Sequence, residues 1–378
     1  MTKKAEAGEP RALLKSARRI VIKLGSGVVC DANQEFDHKH LAGLVAGIAA
    51  LISEGRQVVL VSSGAIALGA AELKLHRSRL HDASVTRACA AVGQCKLMQA
   101  YVLAFRPHGL TAAQVLVTED DFTDLERYKI LRQTFEKLLK LGAVPVVNEN
   151  DTVTNLYTAQ PAVFRDNDRL AALVLSKLDG DALVLLSNVE GLLRDPARPA
   201  EAGNIVRVVT EISPDLRAAA SGKSGLGRGG MAAKLDSAEI AMRAGGLVVI
   251  ADGKKPAVIR EIFSGAEAGT VFLPGSRLAG KRRWLAYATT VRGQVTINAN
   301  ACAALRNGHA SLLISGVTGC HGEFSPGQVI SVQGPESETL GRGIAECGSQ
   351  ELARMLAAHD GPRRGILVRR ENFLLSSE

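Results

Sequence analysis

Short apolar runs that each end in a cluster of glycine, serine or amide residues, with helical patterns between them, most restrict what this chain can become. Residues 18–24 (RRIVIKL) run into Gly25-Ser26-Gly27, and residues 57–61 into Ser62-Ser63-Gly64. Residues 144–147 run into Asn148-Glu149-Asn150-Asp151, and residues 182–186 into Ser187-Asn188. Apolar runs of this kind suit strands buried on both faces. Between the first two, Leu41, Leu44, Val45, Ile48, Leu51 and Ile52 recur at the spacing of one helix face, and Gly55 supplies the stop. Further helices are expected over residues 84–105, 125–141 and 231–244, with strands near 111–117, 205–209 and 247–251. Strands alternating with helices predict an α/β fold around a mainly parallel sheet, whose ligands bind at the carboxyl ends of the strands.

The densest of those ends lies mid-chain. Asn148-Glu149-Asn150-Asp151 closes one strand, and Asp166-Asn167-Asp168 stands where a helix carrying Leu170, Leu173 and Val174 should begin, a good N-cap position. The loop of about 14 residues between the clusters is longer than most connections in compact domains, which favours a binding site over a turn and a cap.

Two lysines point the same way. Lys23 sits inside an apolar strand, where an unpaired ammonium is costly, so it needs an anion beside Gly25-Ser26-Gly27. Lys234 lies one turn inside a helix fed by the glycine-rich residues 221–230, a start that attracts phosphate. Two familiar patterns fail in that loop. Gly222-Lys223-Ser224 lacks the earlier P-loop glycine, which is Arg217, and Gly225-x-Gly227-x-x-Gly230 does not open a first strand–helix–strand unit. No Ser-His-Asp or Cys-His pairing is visible, which favours phosphoryl transfer over hydrolysis.

The formal net charge of +8 raises the question of nucleic acid. Residues 1–19 carry six Lys/Arg against two Glu, and residues 281–378 carry eleven against eight acidic residues, so neither forms a dense basic stripe. The six cysteines are scattered, without zinc spacing. No apolar run of membrane-spanning length is expected and residues 1–19 lack the apolar core of a secretory signal, so a cytoplasmic address is expected, with no membrane partner. After residue 283 the pattern changes to short Val/Ile/Thr-rich runs between glycine turns, a small β-rich module.

Taken in order, VIKLGSG at 21–27, VSSGAIA at 61–67, AAVGQ at 90–94, PVVNEND at 145–151, DND at 166–168 and GGMxxK at 229–234 resemble the glutamate 5-kinase family, of the amino acid kinase superfamily, with a C-terminal PUA domain. The resemblance implies a three-layer sandwich of amino acid kinase type over residues 16–275, preceded by a flexible tail over 1–15 and followed by a PUA domain over 281–370. It implies ATP-dependent, Mg²⁺-assisted phosphorylation of the γ-carboxylate of L-glutamate in proline biosynthesis, with proline as feedback inhibitor and a homo-oligomer, dimer or tetramer. Carried over by motif, Lys23, Asp168 and Lys234 are catalytic, with Asp168 orienting the lysines. Ser63, Asp151 and Asn167 would hold glutamate. Lys23, Ser187, Asn188, Arg228, Gly229, Gly230, Met231, Ala232, Ala233 and Lys234 would hold the nucleotide, and no residue is assigned as a metal ligand.

Five positions depart from the family pattern: Arg165 for Gly, Ser187-Asn188 for Thr-Asp, Arg228 for Thr and Leu193 for Tyr. None removes a lysine. Two alternatives stand beside the main reading: an amino acid kinase with another acceptor, and an RNA-binding protein acting through its PUA domain. The near-balanced charge of residues 281–378 weighs against RNA and favours a structural or regulatory module.

Overall fold

The computed structural model describes residues 9–31, 35–154, 166–195, 197–201, 203–220, 230–275, 280–287, 291–308, 310–357 and 364–376. They form two compact units, one of residues 1–118 with 131–277 and one of 119–130 with 278–378.

Strands β1 (Arg19–Leu24), β2 (Gln57–Ser62), β3 (Thr111–Val117), β4 (Ala143–Glu149), β5 (Ala182–Ser187), β6 (Val208–Val209), β7 (Leu247–Asp252) and β8 (Thr270–Phe272) make the sheet of the first unit. Their order is β3-β4-β2-β1-β5-β7-β8-β6, parallel throughout except for the β7–β8 pair. Strands β1–β4 thus fill one side and β5–β8 the other, and on each side the chain visits the outer edge, at β3 and at β6, before returning inward. The seam between β1 and β5 is the switch point at which such sheets bind ligands.

Alternation along the strands makes the three layers. Ile20, Ile22 and Leu24 of β1, Val58 and Leu60 of β2 and Val184 and Leu186 of β5 are buried against the helices His38–Ser53, Ala83–Phe105 and Val258–Ser264. The alternate residues, Val21 and Lys23 among them, face the helices Asn167–Leu178 and Met231–Arg243.

Several expectations need correction. The tail is not wholly flexible, because Glu9–Ser16 is a helix with Leu14 fully buried. Its Arg11 is internal, donating to the carbonyls of Ala266, Ala268 and Gly269 at 2.7, 2.9 and 3.0 Å. The strand expected over 205–209 shrinks to Val208–Val209, with an isolated bridge between Leu193 and Ile205. Residues 83–108 are long and apolar enough to cross a membrane by length and composition. They are a core helix here, since Leu97, Ala100, Tyr101 and Phe105 are all buried within the first unit.

In the second unit, β9 (Gly293–Ile297), β11 (Val317–Gly322), β12 (Val329–Gln333), β13 (Thr339–Ile344) and β15 (Phe373–Leu375) form a sheet in the order β11-β9-β12-β13-β15, while β10 (Leu312–Leu313) pairs with β14 (Ile366–Val368). Val295, Ile330, Val332, Leu352 and Phe373 are among its core residues. Residues 119–130 belong to this unit because Trp284, nearly fully buried, donates Nε1 to the Phe122 carbonyl at 2.6 Å and meets Tyr128 edge-on.

Candidate active site

The parallel register brings the polar strand ends to one edge. Leu24 is level with Ser62 on one side and Leu186 on the other, and Val61 with Val147, so Asn148 is level with Ser62. Two backbone bonds close the seam: Gly25 N–H donates to Leu186 O at 3.3 Å and Ser63 N–H to Leu24 O at 3.0 Å. Gly64 caps the next helix at φ +115°, a left-handed conformation natural to glycine, and so turns Ser63 across this edge. A side chain at Gly27 would lie 2.8 Å from Asn188 Nδ2, which is how the loops after β1 and β5 approach each other.

Asp168 holds the centre. It stands in the first turn of the helix Asn167–Leu178, whose N-cap Asp166 accepts from Arg169 N–H at 2.9 Å. Lys23 Nζ reaches Asp168 Oδ1 at 2.7 Å, and Lys234 Nζ donates to Oδ2 at 2.9 Å. All three are buried, Asp168 to 1% exposure. Two ammonium groups flank one carboxylate at a helix N-terminus, a setting for anions, with Asp166 near enough to interact with both lysines. Burial alone would push the Asp168 carboxyl up, but Lys23 and Lys234 together outweigh it and hold the group below the ordinary carboxylate value of 3.8. At Asp166 burial, reinforced by the Asp168 charge, prevails and raises the carboxyl.

The two shifts act on stability with opposite signs. The Asp168 contribution is present above 3.8, its ordinary value, and is lost as pH falls through its lower folded value. Asp166 favours the fold below 3.8 and gives up that advantage as pH rises through its raised value. Melting temperature measured from pH 6 to pH 3 is therefore expected to fall on the acid side less steeply in Asp168→Asn than in the wild type. Equal slopes would remove Asp168 from the acid response.

Beside this triad runs a chain of amides. Asn167 Nδ2 lies 2.8 Å from Ser63 Oγ, 3.1 Å from Asn148 Oδ1 and 3.2 Å from the Ser62 carbonyl. Asn148 Nδ2 donates to Gln94 Oε1 at 3.0 Å, and the buried Tyr101 hydroxyl donates to Ser62 Oγ at 2.7 Å. Thus Ser63 and Asn167 meet, while Asp151 lies half-buried in the turn after β4. Sequence reasoning gave no role to Gln94 or Asn148. Asn148 was signalled by its place at a polar strand end, and Gln94 by being one of only two amides, with Gln99, on a largely apolar helix.

On the other side of the seam, Ser187 ends β5, and its buried Oγ has no hydrogen-bond partner among the described residues. Asn188 is exposed. Gly230 caps the helix Met231–Arg243 without a side-chain hydrogen bond, with Met231, Ala232 and Ala233 in its first turn ahead of Lys234. The helix start at Met231, a hydroxyl with no partner among the described residues and two ammonium groups fit a nucleotide's phosphates. Arg165, Arg228 and Gly229 lie outside the described residues.

Comparison with known proteins agrees with this architecture. The profile of the amino acid kinase family matches residues 18–252. The chain belongs to the amino acid kinase family. The profile of the PUA domain matches residues 293–360 of this kinase. Its relatives include proteins named glutamate 5-kinase from Myxococcus xanthus, 43% identical over 92% of this chain and 91% of that one, and from Thioalkalivibrio sulfidiphilus, 39% identical over 97% and 99%. A third, from Novosphingobium aromaticivorans, is 40% identical over 94% and 96%. Family membership makes this a kinase that uses ATP.

Proposed function

We propose that this kinase transfers the γ-phosphoryl group of ATP to the γ-carboxylate of L-glutamate, giving L-glutamyl 5-phosphate for proline biosynthesis. The observation that carries the reading is the Lys23–Asp168–Lys234 cluster at the β1–β5 seam, with Asn167 and Ser63 beside it. A carboxylate oxygen attacks the γ-phosphorus, the bond to the bridging oxygen breaks, and ADP leaves. The acceptor, with an ordinary pKa near 4.3, is already ionised at neutral pH, so no base is needed. Catalysis becomes alignment and charge stabilisation. Lys23 and Lys234 take up charge on the transferring group while Asp168 fixes both ammonium groups. Ser63, Asn167 and Asp151 hold glutamate. Ser187, Asn188, Arg228, Gly229 and the start of the Met231–Arg243 helix hold the nucleotide.

Among the described residues no group of three or more His, Cys, Asp or Glu side chains could hold a metal ion. Magnesium in this reading enters on the nucleotide's own phosphates, as it commonly does in kinases. Inhibition by proline, assembly into dimers or tetramers and a cytoplasmic address belong to the same proposal.

The test is ADP release with ATP, Mg²⁺ and L-glutamate, compared with L-aspartate, N-acetylglutamate, carbamate and UMP, with hydroxylamine added to trap acyl phosphate. Trapped γ-glutamyl product with glutamate alone is expected, and turnover only with another acceptor would overturn the reading. Lys23→Ala and Lys234→Ala are each expected to lower turnover by roughly 10²- to 10³-fold while retaining a cooperative melt. Near-normal rates in either would remove that lysine from the mechanism.

A further inference from the structure

The amide chain beside the triad ends on a donor with no acceptor. Its polarity is set by the main chain, because the Ser62 carbonyl can only accept and the Asn167 atom facing it must be nitrogen. That same Nδ2 faces Asn148 at 3.1 Å, so Asn148 presents Oδ1 there and turns its own Nδ2 toward Gln94. Gln94 must then present Oε1. Each assignment forces the next, and Gln94 Nε2 is left over. It is buried and has no hydrogen-bond partner among the described residues.

A buried donor left unsatisfied bears its full desolvation penalty. Gln94 has little room to withdraw, because its neighbour Gly93 lies directly against the backbone of Ala65 and Gly69 in the helix that follows Ser63-Gly64. The amide is therefore held between the helix Ala65–Glu72 and the end of β4, where Asn148 Nδ2 donates to its Oε1.

We propose that Gln94 is a substrate-specificity residue whose Nε2 donates to the carboxylate at the non-reacting end of the acceptor. Given the reading above, on which the assignment rests, this is the α-carboxylate of glutamate. The reacting carboxylate belongs beside Lys23 and Lys234, next to Asn167. Gln94 stands two amide links further along the chain, toward the other end of a short dicarboxylate. A site built to donate to a group rejects acceptors that lack it, since the donor is then left unpaired.

Gln94→Glu keeps an oxygen for Asn148, and so leaves the links to Asn167 and Ser63 in place, while replacing the terminal donor by a negative acceptor. With the full-length enzyme, we expect the KM for glutamate to rise at least about 30-fold, the KM for ATP to stay within about twofold, and part of the loss to be recovered on acidification, when the introduced carboxyl again carries a proton to donate. Gln94→Met, which has no donor at all, is compared on glutamate and on its α-amide, which retains the γ-carboxylate. The wild type should prefer glutamate, and the preference should shrink at least about tenfold in the variant.

A glutamate KM within about twofold of wild type in Gln94→Glu, or an unchanged preference ratio in Gln94→Met, would overturn the assignment. Those results are what a water molecule satisfying Nε2, or a purely structural amide, would give. Failure of the functional reading shows separately, as absence of glutamate turnover in the wild type.

Discussion

Replacing Asp168 by asparagine is expected to lower turnover by roughly 10³-fold, about 4 kcal/mol of barrier. The amide preserves shape but removes the charge that two ammonium groups share at 2.7 and 2.9 Å. Lys23 and Lys234, both buried, would then lose the carboxylate that bridges them and repel each other more strongly. Breaking a buried ionic arrangement by removing one partner typically costs about 3–5 kcal/mol, so a lower melting temperature should accompany the lost activity. Steady-state turnover with ATP and glutamate, beside a thermal melt, measures both. Asp168→Glu should recover less than a tenth of the activity, because the longer side chain cannot place its two oxygens on both lysines from the same helix turn. Near wild-type turnover in Asp168→Asn would show that the lysines do not need this carboxylate.

Gly93→Ala should produce one of the largest losses of stability that a single methyl group can cause in the first unit. A Cβ there would sit 2.5 Å from the Gly69 backbone nitrogen and overlap the Ala65 carbonyl oxygen outright. No rotamer change relieves a clash between backbone atoms, so the helices Ala65–Glu72 and Ala83–Phe105 must move apart. A cost at or above the upper end of the usual 1–3 kcal/mol for overpacking follows, a fall in melting temperature of about 6–12 °C for a unit of this size. Activity should fall with it, because Ser63 and Gly64 lead into one of those helices and Gln94 sits on the other. Gly203→Ala is the control, since a Cβ there has open space and the shift should stay within about 0.5 kcal/mol. A melting temperature for Gly93→Ala equal to that of the control would mean the helices pack more loosely than described.

Much of this was legible in the residues themselves. Apolar runs ending in Gly25-Ser26-Gly27, Ser62-Ser63-Gly64, Asn148–Asp151 and Ser187-Asn188 announced buried parallel strands with polar carboxyl ends, because strand burial and turn chemistry act on neighbours along the chain. Lys23 in an apolar strand and the polar start of the helix at Asn167 pointed to charged partners for the same local reason. The helix at Glu9–Ser16 was missed because a basic stretch reads as solvated until Arg11 is seen against the carbonyls of Ala266, Ala268 and Gly269.

The sequence by itself determined the alternation of strands and helices, the polar clusters at the strand ends and the two lysines without local counter-charges. Only the tertiary structure decided that Asp168 would serve both lysines and that Gln94 would end the amide chain from Ser62. Those pairings follow from the strand order around the β1–β5 seam and from the contact of Gly93 with Ala65. Periodicity and capping record which face of an element is buried, but not which distant element will cover it.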